Sequence, residues 1–256
     1  MRTAAKWGLV WLAMAVAFAW FNVFQIDHKG HLVFWPETED SLFIETDQGQ
    51  QILVNGGEGR KILRNLSQAM PWGDKSLDLV VLTSSTDDYV AGLIEVLENY
   101  QVGRVLWNGV AGQTLLSSKW EDLLKTKKIP IIIARAGEKI ELGSSVLEIL
   151  APSNNLNRYQ LNNLTKGDLV WRLKGKDKSI LFLGSISRLE LSSLAKEELR
   201  ADIVEVNEVQ EFLPWLFWSE VNPSLVVVSG SFQKTNSLFG IALRQTEKEG
   251  KIIINF

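Results

Sequence analysis

The stretch LDLVVLTSSTDDYVAGL, residues 77–93, constrains the fold of this chain more than any other. Leu77–Thr83 reads as a buried strand, and Val90, Leu93, Ile94 and Leu97 then recur at helical spacing. Between them stands a short polar loop, Ser84-Ser85-Thr86-Asp87-Asp88. A buried strand that ends in a polar loop and passes into a helix is the building unit of α/β proteins. The ends of such strands are where those proteins keep their chemistry.

The same alternation extends over most of the chain. Leu32–Trp35, Ser41–Thr46 and Gln50–Asn55 read as short strands, and Ile62, Leu63, Leu66 and Met70 mark a helix between Gly59 and Met70. Strands are expected at Val102–Trp107 and Pro130–Ala134, with a helix from Thr114 to Lys125 between them. In the second half, strands are expected at Val146–Leu150, Leu169–Leu173, Ser179–Leu183, Asp202–Val206, Ser224–Ser229 and Lys251–Asn255. Helices are expected at Ser187–Glu198 and Glu211–Ser219. No low-complexity linker divides the halves.

Composition narrows the function. The net charge of −3 argues against a chain whose main task is to grip phosphate backbones. The basic run at Lys125–Lys128 suits a helix end, and the one at Lys174–Lys178 suits a hairpin turn. There is no cysteine, which removes disulfides and thiolate chemistry, and only His28 and His31 supply imidazole. The aromatic stretch Phe212–Trp218 reads as a core-facing helix on Leu213, Leu216 and Phe217; an exposed patch is the alternative.

Trp7–Ile26 carries no charge over the length a helix needs to cross a bilayer, with Trp7, Trp11, Trp20 and Phe24 toward its ends. Arg2 and Lys6 precede it. The expectation is an N-terminal transmembrane anchor over residues 1–26, N-terminus cytoplasmic, with a single domain over 27–256 outside the cytoplasm. Contact with the membrane would run through residues 7–26. A signal peptide cleaved near Ala17-Phe18-Ala19, leaving a secreted domain, is the alternative.

Over residues 31–256 the chain resembles the metallo-β-lactamase fold superfamily, and within it the C-terminal domain of the ComEC family of DNA-uptake competence proteins. Asp40-Ser41 matches the end of that family's opening turn. Leu53-Val54-Asn55-Gly56-Gly57 stands for its L-I-D-G-G, and Leu82–Leu93 for its L-T-H-x-H-x-D-H-x-x-G-L. The resemblance implies a four-layer αββα sandwich, here preceded by the transmembrane helix. It also implies a dinuclear metal site, and there the match fails. Ser84, Thr86 and Tyr89 occupy the three histidine positions, and Asp88 alone keeps the ligand type. Ser185 stands at the bridging aspartate, and Glu208 falls in the stretch that replaces the late V-P-H-H-G-S.

Imidazole suits zinc, whereas serine and threonine hydroxyls stay protonated at neutral pH and bind it poorly. Zinc is therefore not expected, no cofactor is expected, and no residue is assigned a catalytic role. The alternative is a hard cation, Mg²⁺, Mn²⁺ or Ca²⁺, held by Asp40, Asp87, Asp88 and Glu208. Against it, Asp87 and Asp88 open a helix, where carboxylates suit the dipole and the free N–H groups. Ser84 and Ser85 lack a base for nucleophilic catalysis. Gly56-Gly57-Glu58-Gly59 lacks the lysine of a phosphate loop and reads as a turn. Two functions follow: a membrane-tethered pseudoenzyme of the ComEC type that binds protein partners of an uptake complex, or by family analogy nucleic acid; or an oxygen-liganded phosphodiesterase.

Overall fold

The structure is a computed structural model that describes Met14 and residues 29–38, 41–152, 168–184, 194, 199–206, 213–229 and 237–256. The first half runs β1 (His31–Phe34), β2 (Leu42–Glu45), β3 (Gln51–Val54), α1 (Lys61–Ala69), β4 (Ser76–Leu77), β5 (Leu79–Leu82), α2 (Asp87–Asn99), β6 (Gln101–Val102), β7 (Val105–Trp107), α3 (Leu115–Thr126) and β8 (Ile131–Ile133). The second runs β9 (Lys139–Leu142), β10 (Ser145–Ala151), β11 (Val170–Lys174), β12 (Ser179–Phe182), β13 (Ile203–Val206), α4 (Trp215–Val221), β14 (Leu225–Val228), β15 (Ser237–Leu238), β16 (Ile241–Gln245), α5 (Thr246–Glu249) and β17 (Ile252–Asn255).

Two large sheets result. One is ordered β17-β1-β2-β3-β5-β7-β8 and the other β15-β16-β14-β13-β12-β11-β10-β9. Each joins an antiparallel part to a parallel part, because hairpins connect β1–β3 and β9–β12 while β5 and β7 are linked through helices. Alternation along the strands divides the core. Leu32, Ile44, Ile52 and Val81 face Leu147, Trp171, Phe182 and Ile203 between the sheets. Val33, Phe43, Leu53 and Val80 face outward onto Ile62, Leu66, Leu93 and Trp120 of α1–α3. Val170, Leu181, Val204 and Val226 face Phe217, Trp218 and Val221 of α4. The architecture is a mixed α/β sandwich.

The membrane anchor is corrected. Among the described residues no helix is long and apolar enough to cross a membrane. The longest of these, α2, has 13 residues and carries Asp87, Asp88, Glu95 and Glu98. At 1.5 Å per residue it spans about 20 Å, short of a hydrocarbon core of about 30 Å. Against the expectation, none of the described helices can serve as the transmembrane helix. The single-pass topology with its extracytoplasmic domain and the membrane contact through residues 7–26 are not borne out. Apart from Met14, residues 7–26 lie outside the described residues, as does the expected helix at Ser187–Glu198 apart from Leu194.

Smaller differences have local causes. The strand expected at Leu77–Thr83 breaks at Asp78, whose carboxylate accepts the Gln51 N–H at 2.7 Å. The strand expected at Val102–Trp107 breaks at Gly103, where a Cβ would lie 2.9 Å from the Asp78 carbonyl oxygen. The aromatic helix begins at Trp215, after Pro214 in extended conformation, and it buries Phe217 and Trp218 while exposing Trp215 and Leu216. The Lys125–Lys128 run does end a helix. The Lys174–Lys178 run does turn a hairpin, with the Gly175 N–H donating to the Lys178 carbonyl at 2.9 Å.

Candidate functional site

A cleft lies where β3, β5, β12 and β13 end. Two glycines shape it. The Gly56 N–H donates to the Tyr89 carbonyl at 3.0 Å, and the Gly92 N–H donates to the Gly57 carbonyl at 2.9 Å. The turn after β3 thus lies directly on the first turns of α2. A Cβ on Gly56 would sit 2.2 Å from the Leu93 nitrogen, and one on Gly92 would sit 2.0 Å from the Gly56 oxygen. Neither position admits a side chain.

Asn55 and Thr83 fasten the two strand ends together. Asn55 stands at φ 52, a left-handed conformation that asparagine tolerates better than most residues. The Thr83 N–H donates to Asn55 Oδ1 at 2.9 Å, and Asn55 Nδ2 donates to Thr83 Oγ1 at 2.9 Å. The Leu169 N–H donates to the Thr83 carbonyl at 3.0 Å and so joins this corner to the second sheet.

The loop residues are committed to structure. Ser84 and Ser85 are both buried. Ser85 Oγ donates to the Val110 carbonyl and accepts from Trp107 Nε1 at 2.8 Å, which ties the loop to the end of β7. Thr86 caps α2 through its backbone, with no side-chain capping bond. Asp87 accepts from Thr114 Oγ1 at 2.6 Å, and that same oxygen accepts from the Ser117 N–H at the start of α3. One carboxylate thereby links two helix N-termini. Asp88, in the same first turn, is exposed.

Of the proposed metal-loop positions, the cleft takes in Tyr89. Its wall consists of Leu42, Val54, Asn55, Thr83, Tyr89, Trp171, Phe182, Gly184 and Glu205, and its interior is about 20 Å³, room for about one water. Trp171 and Phe182 stack within it at 3.9 Å between centroids. Asp40, Ser185 and Glu208 lie outside the described residues. Among the described residues no three His, Cys, Asp or Glu side chains could hold a metal ion together.

Glu205 is the cleft acid that sequence reasoning passed over. It is buried on β13 and accepts from Ser229 Oγ at 2.5 Å. One signal was available: a carboxylate inside the otherwise apolar strand Ile-Val-Glu-Val. A second buried acid, Glu148 on β10, accepts from Arg172 at 2.6 and 3.0 Å, from Lys174 at 2.9 Å, and pairs with Lys139 at 3.0 Å. Burial pushes this carboxyl upward, but the hydrogen bonds from Arg172, Lys174 and Lys139 outweigh it and bring it down to about 2.

This arrangement of sheets and helices has known counterparts. The metallo-beta-lactamase fold protein YhfI from Bacillus subtilis superposes with a TM-score of 0.59, over 89% of this chain and 100% of that one, at 10% identity. The chain resembles the metallo-β-lactamase fold superfamily at a distance. A metal-dependent hydrolase of the beta-lactamase superfamily, Tm1679, gives a TM-score of 0.55 over 88% of this chain and 100% of that one, at 12% identity. The E377D mutant of the CmlA beta-hydroxylase gives 0.59 at 12% identity over 89% of this chain, which spans about half (54%) of that protein. At these identities the likeness is one of fold. Neither protein-family models nor curated proteins match the sequence.

Proposed function

We propose that this chain is a metallo-β-lactamase-like domain that works without the zinc pair, as a binding module. In our reading its loop frame resembles that of the ComEC C-terminal domain, with the metal-loop positions Ser84, Thr86, Asp88, Tyr89, Ser185 and Glu208 degenerate. The observation that carries the reading is the state of the loop. Ser85 and Asp87 are spent on Val110, Trp107 and Thr114, and aromatic rings stand in the cleft wall. Hydroxyl, phenol and amide groups make a poor donor set for zinc. Asn55 donates its amide to Thr83 and has no carboxylate to hold a metal-bound water.

The test is the metal content of the full chain, purified without chelators and equilibrated in turn with Zn²⁺, Mn²⁺, Mg²⁺ and Ca²⁺. The expected result is no retention above that of Asp88→Ala. Stoichiometric metal that Asp88→Ala abolishes would overturn the reading in favour of the oxygen-liganded hydrolase.

A further inference from the structure

The first sheet ends at β8, which has β7 as its one neighbour. The Val105 N–H donates to the Pro130 carbonyl at 2.9 Å and the Ala134 N–H to the Trp107 carbonyl at 2.8 Å. In a parallel ladder this assigns Pro130, Ile132 and Ala134 to β7 and turns the N–H and C=O groups of Ile131 and Ile133 outward. Among the described residues those outward groups meet no strand. Ile132 packs against the core between the sheets, while Ile131 and Ile133 remain 42% and 40% exposed. Gly109 leaves the space that Ile133 occupies, since a Cβ there would lie 3.2 Å from Ile133 Cδ1.

Sheet edges of soluble proteins are commonly guarded by a charge on the strand itself. Here the charges stand at its two ends. Lys127 and Lys128 precede it and Arg135 follows it, all exposed and none in an ion pair among the described residues. The strand between them is open to pairing.

We propose that β8 is a docking edge for an extended, acidic-ended peptide segment of a partner protein, which adds an eighth strand to this sheet. Main-chain bonds to Ile131 and Ile133 supply the pairing, and alternate apolar side chains of the peptide pack on the two exposed isoleucines. Carboxylates at the peptide's ends meet Lys127 and Lys128 on one side and Arg135 on the other. The same charges disfavour a second copy of this chain: antiparallel self-pairing would bring Lys127 and Lys128 of one copy against Arg135 of the other. This deepens the binding reading by naming the partner's chemistry. Its test does not touch the cleft, so metal retention would overturn the former reading and leave this one standing.

The probe is a capped, fluorescently labelled peptide of alternating valine and threonine with paired glutamates at both ends, titrated into the full chain. A matching peptide with lysine ends is the control. Saturable binding of the acidic peptide, at least tenfold tighter than the control, is the expected result. Lys127→Glu, Lys128→Glu and Arg135→Glu together should reverse that preference, which a loss of folding would not do. Ile131→Pro removes one outward donor without removing a bond to β7 and should weaken binding about tenfold. No binding, equal binding of both peptides, or an unchanged preference in the reversed-charge variant would overturn the proposal. So would concentration-dependent dimerisation abolished by Ile131→Pro, which would make a second copy the occupant.

Discussion

Where the turn after β3 meets the loop and helix after β5, two kinds of position behave in opposite ways. Gly56 and Gly92 have no freedom: any side chain at either would enter backbone atoms of the other segment. Asn55 and Thr83 answer each other's hydrogen bonds in a buried corner. Asp88, in the first turn of that helix, is exposed and meets no such demand. The frame of the loop is thus separable from its exposed polar positions. The frame is held by packing that folding requires, while a position such as Asp88 is free to vary.

That separation can be broken experimentally. Gly92→Val should have the largest effect, about 3 kcal/mol or more of lost stability, because backbone on the far side cannot yield; the midpoint of urea unfolding measures it. If this variant is as stable as the parent, the steric account of the frame fails.

Acid should have the next largest effect, and its source lies in the other sheet. The Glu148 carboxyl titrates at about 2 in the folded chain against an ordinary value of 4.5. Its contribution is therefore complete above about pH 4.5 and is lost as the pH falls toward 2. Unfolding free energy measured across that window should decline in the parent and decline less in Glu148→Gln.

Asn55→Ala should cost about 2 kcal/mol, since it leaves the Thr83 N–H buried without its acceptor. Ser85→Ala should cost about 1 kcal/mol by stranding Trp107 Nε1 and the Val110 carbonyl. A shift of tryptophan fluorescence should accompany it. Asp88→Ala marks the other side of the comparison and should change thermal stability by less than about 0.5 kcal/mol. A large loss at Asp88 would show that this position belongs to the frame.

Much of the fold was legible because it is local. Apolar spacing placed α1 and α3 within a residue or two of their observed ends and marked the interior of α2, and the hairpin at Gly175–Lys178 followed from its turn residues. The first turn of α2 was legible as a place for carboxylates, but not that Asp87 would reach Thr114, 27 residues away. The apolar run at Trp7–Ile26 suggested a membrane span from composition alone, and no described helix bears that out. The aromatic helix misled for a different reason: periodicity placed Leu216 inside, whereas the helix starts only at Trp215, exposes Leu216 and buries Trp218.

By itself, then, the sequence determined many of the strands, the helices of the first half and the scarcity of imidazole, because each depends on residue type or on spacing within a single element. Strands β9, β15 and β16 and helix α5 were not expected from it. Tertiary structure alone decided which strands share a sheet, from the pairing of β17 with β1 at the opposite end of the chain to the position of β8 at an edge. It also decided that Glu205 meets Ser229 and that Glu148 meets three cations. Such partners are chosen by burial, which obliges every polar group withdrawn from water to find whatever the fold brings within reach.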